Sequence, residues 1–424
     1  MPVLLKNATY IDWKTLEFRK ENILTGRNEG KLQFIEDNDI PLDDSSLEVL
    51  DCTGKYVTKS FAIGHHHAYS ALSCGMAAPK KDPVNFVETL NYVWWTLDKC
   101  LDREMTEYSA LATAISCARA GSTFIIDHHA SPNAIKGSLE TIAQAFDKVG
   151  ISHLLCYEAS DRDGSEKAFE GLMETESYLK YRQGLVGLHA SFTVGKETLK
   201  RAALLMIKHD SGAHIHVAED LHDQDDCIRK YGKRVVERLE SYGILSSPKT
   251  ILAHCLHLNQ EEADLVRKSP CWVVQNAESN MNNNVGRFNG RQLGKRIMTG
   301  TDGMNSDMFQ STRAAFLSGR GSDTISCLSA YERLRNVNRY LQENKFAGDG
   351  EDNLIVINYD APTEINSSNF AGHFIFGMNS SNVLHVISKG KLIVKDRMIL
   401  TVDEPEIMKE AKRCASLLWK KMQE

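Results

Sequence analysis

The feature that most constrains this chain is an alternation of strand-like apolar runs with helix-period segments, continuing from Thr106 to Gly303. TEYSALATAISCARAG carries apolar residues at helical spacing and ends at Gly121, and STFIIDHH reads as the strand that follows. The same pairing recurs as KGSLETIAQAFDKVG with ISHLLCYEAS, EKAFEGLMETESYLKYRQ with GLVGLHASF, and KETLKRAALLMIKHDSG with AHIHVAED. CIRKYGKRVVERLESYGI, read as one helix, precedes the strand KTILAHCLHL; EEADLVRKS, CWVVQNA and RIMTGTDG extend the series. Repeated strand–helix units of this length make a parallel sheet, and their number fits an α/β fold of the (β/α)8 (TIM) barrel type over residues 58–349. A doubly wound open sheet is the alternative. It lacks its usual marks, because no GxGxxG follows a first strand and no GxxxxGK[ST] loop occurs.

The two ends of the chain have a different texture. VLLKNATYID, ENILTG, KLQFIED and LEVLDC are short strand-like runs between polar turns, and DNLIVINYD, HFIFGM, VLHVISKGKLIVKD and RMILTV resume that pattern. The expected division is therefore a barrel at 58–349 and a strand-rich unit assembled from 1–57 and 350–424. The latter ends in the helix-period segment PEIMKEAKRCASLLWKKM. Its Leu417, Leu418 and Trp419 suit either a homodimer interface or a cap on the core.

Charge narrows the partners. The net charge is −6 with both signs spread along the chain, which argues against nucleic acid or an anionic membrane. Ten cysteines without a CxxC pair fit reduced thiols in a cytoplasmic protein. They also exclude the zinc deaminase architecture built on H-x-E and P-C-x-x-C. The N-terminus has no signal-peptide core, and no apolar run approaches the roughly 20 residues that cross a bilayer.

Most of the 15 histidines stand at the C-terminal ends of strand-like runs: His65 to His67, His128 and His129, His189, His214 and His216, His254 and His257. In a barrel those ends share the face where catalytic groups gather. Alternate side chains of a strand face the same side, so His65 and His67 converge while His66 supports the strand from behind. AHIHVAED supplies a second pair, of which His216 lies nearer the rim and His214 a layer deeper, with Glu219 just beyond. Asp302 follows RIMTG in the same manner and can add a carboxylate. Three histidines, an aspartate and a water suit one divalent ion in a hydrolytic site, zinc first and iron or manganese as alternatives.

GHHHAYSALSCG, IIDHHASP, HASFTV, HIHVAED, AHCLHL, NAESNMNNNVG and GTDG together resemble the amidohydrolase superfamily, over nearly the whole chain. The resemblance is to the branch of guanine deaminase, the triazine chlorohydrolases and the adenosylhomocysteine deaminases, and closest to the bacterial SsnA aminohydrolase group. It implies a mononuclear metal on His65, His67, His216 and Asp302, with Glu219 and His254 catalytic. Asp302 would also help to shuttle a proton. It further implies a small β-sandwich built from the chain ends, and His128, His129 and His189 bordering the substrate pocket. Relatives are commonly dimers.

Three departures stand out. Lys59–Ser60 replaces the usual Pro–Gly before the first barrel strand, a change expected to affect only a turn. Gln275–Asn276 replaces a His–Asn pair, and Glu278 stands where many relatives carry arginine. Glu278 thus either reverses a charge in the substrate pocket or is a solvated loop residue. Trp94, next to Trp95, either lines the pocket or packs on the barrel.

The expected reaction is hydrolysis of a non-peptide C–N bond, with loss of ammonia from a purine-like or other nitrogen heterocycle. Ring opening of a cyclic amide or imidazolone is the rival. The lack of a lysine in GLVGLHASF lowers a binuclear version of it. A catalytically inactive metal-binding protein is the remote third reading, and the retention of Glu219 and His254 argues against it.

Overall fold

The computed structural model describes residues 1–40 and 44–424. The N-terminal strands are β1 (Val3–Ile11), β2 (Phe18–Thr25), β3 (Leu32–Ile35), β4 (Glu48–Asp51) and β5 (Tyr56–Lys59). Eight parallel strands follow: β6 (Phe61–His66), β7 (Ser122–His129), β8 (Ser152–Tyr157), β9 (Val186–Ala190), β10 (Ala213–Val217), β11 (Ile251–His254), β12 (Trp272–Gln275) and β13 (Ile297–Thr299). The chain then returns through β14 (Leu354–Ile357), β15 (Val383–Ser388), β16 (Lys391–Lys395) and β17 (Met398–Ile399), and ends in the helix Glu404–Gln423.

Strands β6 to β8 and β9 to β13 form two parallel ladders. Bridges from Leu155 to Gly184, Ala159 to Leu188 and His66 to Asp302 join them into a closed ring. This is the (β/α)8 barrel. Its strands are buried on both faces, which is why they read as apolar runs rather than as alternating ones. Small residues permit the closest approaches: a Cβ on Gly187 would lie 2.2 Å from the carbonyl oxygen of Tyr157 on the neighbouring strand.

The strands of both chain ends join one nine-stranded sheet, in the order β17-β16-β15-β14-β5-β1-β2-β3, with β4 also paired to β1. An irregularity in β1 between Leu5 and Ala8 lets its first half pair with β4 and its second half with β5. Val3, Leu5, Tyr10, Val57, Val356 and Ile387 belong to an apolar core of this sheet. In the last helix Cys414 and Leu418 are buried, Leu417 is exposed, and Trp419 Nε1 donates to the Leu72 carbonyl at 2.8 Å.

Three sequence expectations fail here. HFIFGM is not a strand: its first four residues, His373 to Phe376, end the helix Phe370–Phe376. Its rings pack as a cluster, with Phe374 against Phe61, Phe309 and Tyr331, so tertiary packing overrides the β preference of aromatic residues. The single helix read into 227–244 is two, Leu221–Tyr231 and Val235–Ser241. Gly232 between them takes the left-handed conformation (φ 64°) that caps the first.

Lys59 is the third, because its effect reaches well beyond a turn. It closes β5 in the terminal sheet, fully buried, with Nζ 3.1 Å from Asp349 Oδ1 and donating to the carbonyls of Asp349 and Gly350. Beside it, Arg335 of the helix Cys327–Glu343 donates to the carbonyls of Ser60 and Lys59 and to the Tyr331 hydroxyl. Asn336, on the same helix, donates to the carbonyls of Lys295 and Ile297. One helix therefore ties the entry of the first barrel strand to the entry of the last.

Candidate active site

The C-terminal ends of the strands meet around a cavity lined by His67, Trp94, Glu158, His189, Glu219 and Asp302, among others. His65 and His67 point inward from β6, and His216 arrives from β10. Asp302 lies just after β13 in a left-handed backbone conformation (φ 55°). Ala218 (φ 46°), before Glu219, and His254 (φ 71°) are held in the same unfavourable region. Such strain persists only where the surroundings over-determine it, and it clusters at functional sites.

His65, His67, His216 and Asp302 place one ligand atom each within 4.8 Å of one another. His67 Nε2 stands 3.0 Å from Asp302 Oδ1 and 3.2 Å from His216 Nε2, and His65 Nε2 is 3.4 Å from Asp302 Oδ1. Four ligands at zinc bond lengths of ~2.0–2.1 Å lie about 3.3 Å apart along the edges of a tetrahedron, so the spacing fits. The second ring nitrogens are engaged elsewhere. His67 Nδ1 donates to the His128 carbonyl at 2.6 Å, His216 Nδ1 donates to the His189 carbonyl at 2.8 Å, and His65 Nδ1 meets His214 Nε2 at 2.8 Å. Those bonds fix each ring and leave Nε2 lone pairs facing inward. His65 Nε2 is buried without a hydrogen-bond partner.

The titration behaviour has the same meaning. Burial drives His65 down to about 3. Burial also opposes charge on His67, but the Asp302 carboxylate prevails and pulls it up to about 9. The group wants one positive charge, and a proton and a metal ion compete for it. Together the four side chains can hold a divalent ion.

Beside this set, His254 Nε2 is 3.5 Å from Glu219 Oε2 and 3.6 Å from Asp302 Oδ2. Asn280 Nδ2 lies 2.7 Å from His254 Nδ1 and Asn276 Nδ2 lies 3.4 Å from its Nε2, so an amide stands against each ring nitrogen. Burial lowers His254 to about 4, so it is neutral at physiological pH. Burial, with Asp302 nearby, raises Glu219 well above the ordinary carboxylate range.

The remaining candidates divide. Trp94 and His189 line the cavity. His128 and His129 are fully buried behind it, His128 beside Glu158 (3.2 Å) and His129 against Ser131 Oγ (2.9 Å). Glu278 is not among the lining residues and instead accepts from Asn305, Gln310 and Ser311, joining the short helix Ala277–Asn282 to the helix Met308–Gly319. It is thus neither a reversed pocket charge nor simply solvated. His66 supports β6 from behind, on Asp127 and Ser306, and His214 lies a layer deeper, as the spacing implies.

Sequence reasoning missed Glu158 and Arg162. Glu158 follows β8 directly, at the same strand-end position as the histidines, and that position is the signal that marks it. Arg162 reaches the cavity four residues later and carries its guanidinium 5.1 Å over the Trp95 ring.

A profile of the amidohydrolase family matches residues 64–332, which include every residue of this constellation. The chain belongs to the amidohydrolase family. Among curated proteins it is similar to the 5'-deoxyadenosine deaminase of Methanocaldococcus jannaschii, 26% identical over 98% of this chain and 99% of that one. It is also similar to the 5-methylthioadenosine/S-adenosylhomocysteine deaminase of Desulforamulus reducens, 26% identical over 88% of each. Among solved structures, an adenosine deaminase from Xanthomonas campestris with bound zinc superposes with a TM-score of 0.80 at 16% identity, covering 98% of both chains. Guanine deaminase of E. coli gives 0.76 at 16% identity, covering 93% of this chain and 99% of that one. The structural likenesses establish the fold. Membership of the amidohydrolase family makes this chain a metal-dependent hydrolase of non-peptide C–N bonds. No helix among the described residues is long and apolar enough to cross a membrane.

Proposed function

We propose that this amidohydrolase is a hydrolytic deaminase that releases ammonia from a purine-like nitrogen heterocycle. The observation that carries the reading is the juxtaposition of a three-histidine, one-aspartate ligand set with Glu219 and His254, two groups not needed to hold an ion. Deaminase names among relatives matched over nearly their whole length support it.

His65, His67, His216 and Asp302 would hold the ion, with zinc the first candidate from three nitrogen donors and one oxygen at tetrahedral spacing. When bound, it supplies a Lewis acid that makes water a nucleophile near neutral pH. Glu219 takes the proton of that water and returns it to the departing nitrogen, base first and acid second. His254 donates from Nε2 to the oxygen that gains charge at the attacked carbon, and Asn280 holds the ring at Nδ1. Asp302, between the ligand set and His254, helps to pass the proton. Trp94 and His189 shape the substrate wall, while His128 and His129 support that wall from behind. Residues 1–57 and 350–424 form a composite unit beside the barrel at 58–349, and the chain works in the cytoplasm.

The test is ammonia release by zinc-loaded enzyme across aminopurine nucleosides, free aminopurines, aminopyrimidines and pterins. Release from one class, abolished in Glu219→Gln, supports the reading. Silence on all of them, with ultraviolet loss on cyclic imides or imidazolones, replaces it with ring opening.

A further inference from the structure

Helices in the outer ring of a barrel bury one stripe against the strands and turn the opposite stripe to water, where polar side chains belong. Two neighbouring helices depart from that rule. Ser165–Leu179 buries Ala168, Leu172 and Thr175, and Lys196–Lys208 buries Leu199, Ala202 and Met206. Their outer stripes nevertheless carry Phe169 (45% exposed), Met173 (52%), Leu204 (65%) and Ile207 (80%).

Two contacts between the helices show that these four side chains form one patch. The Arg201 guanidinium lies 4.7 Å over the Phe169 ring, and Lys208 Nζ is 2.5 Å from Glu176 Oε1. Residue 169 meets 201 and residue 176 meets 208, a constant offset, so the helices run side by side in the same direction. The two contacts stand about 10 Å apart along the helices, and Met173, Leu204 and Ile207 lie between them. Single exposed apolar residues need no explanation, whereas a contiguous patch marks a place where protein meets protein.

Charge indicates what covers it. Accessible charges on the first helix are Glu166, Lys167, Glu170 and Glu176, and on the second Lys196, Glu197, Lys200, Arg201 and Lys208. One helix has an excess of acid and its neighbour an excess of base. The pairs Lys167–Glu170, Lys200–Glu197 and Lys208–Glu176 form within the chain, and among the described residues Glu166, Lys196 and Arg201 have no ion-pair partner. A two-fold axis parallel to the helices lays the acidic helix of one copy on the basic helix of the other. A two-fold axis across them would set acid on acid. The face is thus complementary to itself, as a contact between identical copies requires. The last helix offers less, because Leu418 is buried and Trp419 is bonded to the Leu72 carbonyl.

We propose that this chain forms a two-fold homodimer through the helices Ser165–Leu179 and Lys196–Lys208. Phe169, Met173, Leu204 and Ile207 are its apolar centre, and Glu166 and Glu170 of each copy face Lys200 and Arg201 of the other. None of these residues lines the cavity, so the proposal stands or falls apart from the chemistry.

Sedimentation velocity at about 10 µM chain should give twice the chain mass. Leu204→Glu and Ile207→Glu should each raise the dimer Kd about 100-fold or more, because symmetry places every change at the interface twice. Glu170→Lys and Arg201→Glu should each raise it about tenfold, and the two together should recover most of that loss, since opposite charges again meet. Circular dichroism checks that these exposed substitutions leave the fold intact. A wild-type chain that stays monomeric to about 100 µM overturns the proposal and leaves the face to a different protein. A dimer that survives both Leu204→Glu and Ile207→Glu overturns it too, since the contact then lies elsewhere. Single charge changes that weaken the dimer without recovery in the pair overturn the proposed axis.

Discussion

The two ends of the barrel bury charge in opposite ways. At the N-terminal end Lys59, Asp349 and Arg335 are buried, and each finds protein partners. At the C-terminal end His65, His67, His216, Glu158 and Asp302 are equally buried, yet lone pairs and carboxylates face one another and His65 Nε2 has no partner. A polar group withdrawn from water is costly unless paired. The first end therefore pairs its buried charges within the protein, whereas the second holds a ligand set that a cation would complete.

Breaking the rim should have the largest effect. His67→Ala should lose the metal, read by elemental analysis, and lower kcat/KM by more than about 1000-fold. Glu219→Gln should keep the metal and still lose about 100-fold or more in kcat. Full activity in that variant would remove Glu219 from the proposed chemistry.

The opposite end should fail differently. Lys59→Met strands Asp349 and should cost about 3–5 kcal/mol in urea unfolding, with activity per folded molecule unchanged. Adding Asp349→Leu should restore most of the loss. If the double variant is no better than the single, the pair is not the source of the stability.

Metal removal sharpens the contrast further. Chelation should lower the melting temperature, because an ion present at 1,000 times its Kd contributes about 4 kcal/mol to the folded state. The shift should vanish in His67→Ala and persist in Lys59→Met. The smallest effect is expected at the exposed Lys409–Glu406 pair. Lys409→Ala should leave melting temperature and activity unchanged, since such pairs are screened by water and salt.

The sequence by itself determined the alternation of strand and helix, and with it the barrel, because burial on both faces writes parallel strands as apolar runs. It also placed His65, His67, His216, Glu219, His254 and Asp302 at strand ends that such a barrel gathers on one rim. What it could not determine depends on which atoms meet across long separations. HFIFGM became a helix through the rings of Phe61, Phe309 and Tyr331. Lys59 became a buried anchor only because Asp349, 290 residues away, sits beneath it. Glu278 turned towards Asn305, Gln310 and Ser311 rather than the cavity. Periodicity is a local property and can be read along the chain, but the pairing of buried polar groups is not, and only the tertiary structure decided it.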